Sequence, residues 1–198
     1  MIRAMKLLAK FTQDIRHRVV QLQSDERGLS AVEFALLLPL MITLYLGSVE
    51  LSQAISAGRK VTLTSRTIAD LVSQVSTIDQ SGLTDVLNAS SAVMAPFVIT
   101  TLKATVTSVT INSAGIATVA WSRSLDGSTV HAPGDVVTTL PAALKIASTT
   151  LIWSEVSYVY TPAIGKIITG PLTLKDQLYM APRLTNCVTF PPTVTTCP

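Results

Sequence analysis

Apolar and polar positions divide this chain into stretches with different periods. From Leu29 to Val49 it runs 21 residues with Glu33 as the only charge. A helix of that length spans about 31 Å, the thickness of a bilayer's hydrocarbon core. Pro39 lies inside the run, removes one backbone donor and leaves the Ala35 carbonyl without its usual partner, which predicts a local kink or unwinding. The run meets no helix stop. Leu51, Ile55, Gly58, Val61, Ser65, Ile68, Val72 and Val75 recur every three or four residues, with Gln53, Lys60, Thr64, Thr67 and Gln74 on other faces. This predicts an amphipathic continuation as far as Ile78, a helix roughly 75 Å long whose second half packs one stripe on a globular domain.

Asp79-Gln80-Ser81-Gly82 breaks that pattern, and Leu83–Ala95 reads as a short helix ending before Pro96. From Phe97 the period becomes two. Leu102, Ala104 and Val106 alternate with polar residues, and Val109 and Ile111 alternate in the opposite phase, which predicts a bulge near Thr107-Ser108 or two short strands. Asn112-Ser113-Ala114-Gly115 is a hairpin-turn sequence, and Asp126-Gly127 is a second turn signal. Ala117, Val119 and Trp121 are expected to line one face of the next strand. Residues 128–148 are marked as loop by Pro133-Gly134-Asp135 and Pro141, with one helical turn expected over Ala142–Ala147. Leu151–Tyr160 is the clearest strand, with Ile152, Val156, Tyr158 and Tyr160 on one face; Ile164–Ile168 and Leu172–Tyr179 are weaker strand candidates. The Pro- and Thr-rich tail from Pro182 reads as irregular. One long helix, one short helix and then an antiparallel sheet make an α+β fold.

Composition sharpens this picture. Hydrophobic residues make up 48% of the 198 and charged residues only 14%, against about 25% charged in a typical soluble domain. The formal net charge of +3 is local. It resides in residues 1–28, where Arg3, Lys6, Lys10, Arg16, Arg18 and Arg27 outnumber Asp14, Asp25 and Glu26, whereas residues 79–198 are balanced. The chain therefore has no basic groove with interleaved aromatics of the kind that binds nucleic acid. Arg16, Arg18 and Arg27 precede the apolar run and Arg59, Lys60 and Arg66 follow it, so the positive-inside rule does not decide orientation. The long β-rich remainder and the two cysteines favour its export. Cys187 and Cys197 read as one disulfide closing a small loop in an exported domain, or as two thiols in a reducing compartment.

Candidate chemistry concentrates where the basic arm meets the apolar run. A bond cut after Gly28 discards the arm and leaves a new α-amine on Leu29, largely protonated at neutral pH given a reference pKa of about 8. Glu33 is then the fifth residue of the shortened chain. Both charges are costly in lipid alone; in an assembly of parallel helices, pairing Glu33 of one subunit with the amine of its neighbour lowers that cost and fixes the axial offset. The plainer alternatives are that Glu33 snorkels to headgroups and that Gly28 is a flexible helix entry.

The block Gly28-Leu29-Ser30-Ala31-Val32-Glu33-Phe34-Ala35-Leu36-Leu37-Leu38-Pro39, followed by Gly47-Ser48-Val49-Glu50-Leu51, resembles the TadE-like family, minor pseudopilins of the tight-adherence (Flp-type) pilus machinery. Ser157-Tyr158-Val159-Tyr160-Thr161-Pro162 and Met180-Ala181-Pro182-Arg183 are similar to late segments of such proteins. The resemblance implies a type IV pilin-like fold, a leader over 1–28 removed by a prepilin peptidase, a membrane-spanning half-helix over 29–50, an amphipathic half over 51–78 and a periplasmic α+β head over 79–198. It implies cleavage between Gly28 and Leu29, and assembly through Glu33 and Phe34. The implied partners are the peptidase, other minor pseudopilins, the major Flp-type pilin, the inner-membrane assembly platform and membrane lipid, with no cofactor and no nucleic acid.

Enzyme motifs are lacking. His131 is the only histidine beyond the arm, and a lone loop histidine reads as polar surface. There is no Gly-x-Ser-x-Gly or His-Glu-x-x-His. Cys187 and Cys197 lack Cys-x-x-Cys spacing, Pro171 stands where a phosphate loop after Gly165 and Gly170 requires lysine, and Asp70, Asp79 and Asp85 are too scattered for a calcium loop. Trp121, Trp153, Tyr158 and Tyr160 suit either a sugar-binding face or a core. The alternative function is a secreted or membrane-anchored surface-binding protein whose ordinary signal peptide is cleaved near Ala54, after Ser52-Gln53-Ala54.

Overall fold

In a computed structural model, residues 27–125, 130–162 and 170–192 are described. The chain divides into two units at Val49/Glu50. The described part of the first is a single exposed helical rod. The second holds every strand among the described residues.

Helix α1 runs from Arg27 to Ser73. It passes through Pro39 without unwinding, and the Thr43 hydroxyl, 2.8 Å from the Pro39 carbonyl, donates back to the backbone there. The helix stops short of the expected Ile78. Its last turn tightens through i→i−3 bonds from Gln74 and Val75, and the Arg183 amide caps the Ser73 carbonyl at 2.9 Å. Residues 76–78 leave the helix because they pair with Thr189: the Thr189 amide donates to Ser76 and the Ile78 amide to Thr189, each at 3.0 Å. The packed stripe also begins later than periodicity predicts. Ala57, Val61, Thr64, Ser65, Ile68, Ala69 and Val72 are buried, whereas Leu51 and Ile55 are exposed.

Asp79 opens the next helix and is not merely a breaker. Its carboxylate accepts from the Gly82 amide at 2.7 Å and from the Ser81 hydroxyl at 2.9 Å, an N-cap for α2 (Gln80–Ser91). These bonds, the Gly82 amide foremost, hold its pKa below the ordinary carboxylate value. A 3₁₀ turn over Ala92–Met94 follows, and Pro96 bars further helix.

The four strands β1 (Lys103–Ile111), β2 (Ala117–Ser124), β3 (Thr149–Tyr160) and β4 (Leu172–Met180) form an antiparallel sheet in the order β2-β1-β3-β4. Phe97 to Thr101 precede the sheet, with a 3₁₀ turn over Ile99–Thr101. The β1–β2 hairpin closes at Asn112, whose side-chain oxygen accepts from the Ala114 and Ile116 amides; Gly115 takes the positive φ of 77° that the turn requires.

An irregularity lies at the expected level, between Ser108 and Val109, but the extra residue is on the partner strand and not in β1. β1 pairs with β3 in unbroken register from Lys103↔Ser157 to Ile111↔Thr149. The irregularity lies in β2, where Trp121 faces Ser108 and Val119 faces Val109, leaving Ala120 as the extra residue. Trp121 therefore points to the opposite face from Ala117 and Val119, against expectation. Both faces of β1 are covered. On one, Ala104, Val106, Trp121, Ile152, Val156, Tyr158 and Tyr160 join the helix residues Ala57, Val61, Ile68 and Val72 and Leu83 and Leu87 of α2. On the other, Val109, Ile111, Ala117, Val119, Leu151 and Trp153 meet Val137 and Leu140 of the loop 130–148, whose helical turn is a short 3₁₀ turn at Ala142–Leu144. Opposite-phase residues are apolar because each face has its own cover. The expected α+β arrangement, a long N-terminal helix packed on an antiparallel sheet, is the one observed.

The described C-terminal segment packs into the fold. Val188 and Phe190 are buried in the main core, the Trp121 indole N–H donates to the Val188 carbonyl at 2.8 Å, and the Arg183 guanidinium pairs with Asp70. The strand candidate Ile164–Ile168 lies outside the described residues.

Candidate functional site

The Gly28–Leu29 bond lies within α1. A side chain added at Gly28 would meet nothing within 4 Å, so the glycine answers no packing demand. Gly28, Leu29, Glu33 and Phe34 are all exposed. Leu29 and Glu33 stand four residues apart on one helix face, about 6 Å along the axis. An exposed bond thus precedes a carboxylate on the surface of an apolar rod.

That rod presents leucines outward. Leu36, Leu37, Leu40, Met41, Leu44 and Tyr45 are exposed, and the helix is long and apolar enough to cross a membrane. Two of its hydroxyls bond within the helix: Thr43 donates to the Pro39 carbonyl and Ser48 to the Tyr45 carbonyl, at 2.8 and 2.7 Å.

Residues 28–70 match the family model of TadE-like proteins. Neither a curated protein nor a solved structure matches the chain. The TadE-like segment starts at Gly28 and ends within three residues of the end of α1, so the family signal resides in the helix and not in the sheet. It associates the chain with the tight-adherence pilus machinery, and the α+β architecture agrees with a pilin-like fold.

Outside the TadE-like segment, the second face of the sheet carries a polar cluster that periodicity does not reveal. His131 is no free surface group. Its Nε2 lies 2.6 Å from the Glu155 carboxylate, and its ring stacks on Trp153 at 4.7 Å between centroids. Trp153 stacks in turn on Tyr179 at 5.6 Å, whose phenol is pushed above its ordinary pKa mainly by burial. An open groove of about 660 Å³ adjoins this stack, bordered by Lys103, Thr105, Glu155, Lys175 and Gln177. The His131–Glu155 contact joins a loop to β3 and leaves no trace in local periodicity.

The four aromatic residues considered for a sugar-binding face are buried. Trp121, Tyr158 and Tyr160 belong to the helix-side core and Trp153 to the other, so they form no shared platform. Cys187 is buried and disulfide-bonded; Cys197, the other cysteine of the chain, lies outside the described residues, as does the basic arm. Ser52-Gln53-Ala54 falls inside α1, with Ala54 packed against the main core.

Proposed function

We propose that this chain is a minor pseudopilin of a tight-adherence pilus system, a structural component and not an enzyme. In this reading a prepilin peptidase removes residues 1–28, and the protein sits in the bacterial inner membrane through residues 29–50 with its head in the periplasm. It then assembles with other minor pseudopilins and the major Flp-type pilin on the inner-membrane platform, to initiate or support the pilus. The observation that carries the reading is an overlap: the TadE-like match over residues 28–70 coincides with the helix that is long and apolar enough to span a membrane.

Mechanistically, cleavage creates the Leu29 amine, and Glu33 is the one acid in the 21 residues from Leu29 to Val49. An unpaired carboxylate in lipid costs several kcal/mol, so the pair is strongest where water is excluded and subunits adjoin. Before cleavage that amine does not exist, which makes assembly conditional on processing.

The deciding experiment is the N-terminal residue of the membrane-associated mature protein. Leu29 supports the proposal, Ile55 supports a secreted protein cut after Ala54, and Met1 supports an uncut anchor. The position of Ala54 within a packed helix speaks against the second. Glu33→Ala is expected to insert and to be cut yet fail to assemble; normal piliation with this variant would refute the role of Glu33.

A further inference from the structure

Strand β3 and the second half of α1 run in opposite chain directions, and two contacts set their alignment. The Ser73 hydroxyl lies 3.4 Å from the Met180 sulfur, and Met180 pairs with Ile152. The Ser65 and Ser154 hydroxyls are 3.2 Å apart. From Ser154 to Tyr160 is about 20 Å along a strand; from Ser65 back to Leu51 is about 20 Å along a helix. The Tyr160 end of the sheet is therefore level with the start of the second unit at Glu50, where the apolar run has just ended. Consistent with this, the Glu50 carboxylate adds to burial in raising the Tyr160 pKa.

That end of the head exposes apolar side chains. Val98 is 69% exposed, Ile99 45% and Leu172 49%. Leu172 pairs directly with Tyr160, and Phe97 packs its ring 6.2 Å from that of Tyr160. Thr101 donates to the Val159 carbonyl at 3.0 Å, which places Val98 and Ile99 beyond the last paired row. Three residues further into the sheet, about 10 Å away, Lys103, Ser157 and Lys175 share one row across three strands, and both lysines are exposed. An apolar tip followed by cations at that depth is the order in which a lipid–water interface presents its layers.

We propose that Val98, Ile99 and Leu172 dock the head on the bilayer, burying their side chains at the headgroup–acyl boundary and placing Lys103 and Lys175 over anionic headgroups. This rests on the membrane-anchored reading above. The occupant is lipid because chain continuity alone brings the surface exit of the apolar run to this end of the head. Ile116, exposed to 47% at the β1–β2 turn, lies at the other end of the sheet and stays in water.

The test uses the full chain in vesicles of phosphatidylethanolamine and phosphatidylglycerol that carry nitroxide-labelled lipid. Single cysteines replacing Val98, Ile99, Ile116 or Leu44 bear an environment-sensitive fluorophore. Quenching at Val98 and Ile99 at least about twofold that at Ile116 is expected, given burial of a few ångströms into the interface. If Leu44 is quenched while Val98 and Ile99 match Ile116, the docking is wrong and the anchor stands. If Leu44 is not quenched, the anchored reading fails and the docking with it. In the K103E/K175E double variant, quenching at Val98 should fall toward the Ile116 level; unchanged quenching overturns the assignment of the two lysines.

Discussion

Trp121→Phe tests the idea that the C-terminal segment is held by one buried indole. Trp121 is fully buried, donates to the Val188 carbonyl at 2.8 Å and lies 5.2 Å, centroid to centroid, from Phe190. Phenylalanine keeps a ring but removes the donor, and Val188 is itself buried, so its carbonyl loses its indole partner in a water-poor site, at about 1–3 kcal/mol. The smaller ring also leaves a void, costing about 1–2 kcal/mol by comparison with large-to-small core substitutions. Together the loss is about 3 kcal/mol, or a fall in Tm of roughly 6–12 °C for a chain of this size. The assay is urea unfolding of the full chain in detergent followed by far-ultraviolet circular dichroism, with limited proteolysis around residues 184–190 at low denaturant. The midpoint should drop with little change in slope, and cleavage in the segment should rise first. Trp153→Phe is the control, because its indole bonds a side chain, Gln177, at a longer 3.3 Å; it should cost about half as much. A loss below about 0.5 kcal/mol for Trp121→Phe, or equal losses for both variants, refutes the reasoning.

Other outcomes follow from the same structure. Gly28→Ala should leave helix content unchanged or slightly higher, since the added methyl meets nothing; uncut precursor in membranes by mass spectrometry then reports a peptidase requirement and not misfolding. Asp79→Ala should lower thermal stability by removing the α2 cap. Because the folded pKa of Asp79 lies below its ordinary 3.8, its contribution is present above that value and lost as pH falls through the folded pKa, so melting curves of the two proteins should converge at the acid end. Ala57→Leu forces a larger side chain between α1 and the sheet and should cost about 1–3 kcal/mol, whereas Leu51→Ser, on the exposed side of the same helix, should leave the unfolding midpoint in place. Reducing the Cys187 disulfide should destabilise the chain by on the order of 2–3 kcal/mol if it closes the loop to Cys197, read as a lower urea midpoint with reductant present.

The sequence by itself determined the membrane-length apolar run, the long helix, the α+β order and the placement of Gly28 and Glu33 where the apolar run begins, because each is written in local period and composition. Local signals also located the Asn112 turn and the β3 strand. Only the tertiary structure decided where the helix ends, since Ser73 stops it through Arg183 and residues 76–78 are claimed by Thr189, more than a hundred positions away. It also decided which face Trp121 occupies, because one extra residue, Ala120, in a strand inverts every side chain beyond it. The His131–Glu155 contact stayed hidden for the same reason: it joins a loop to a strand through folding, and hydrophobic periodicity carries no information about which distant polar groups meet.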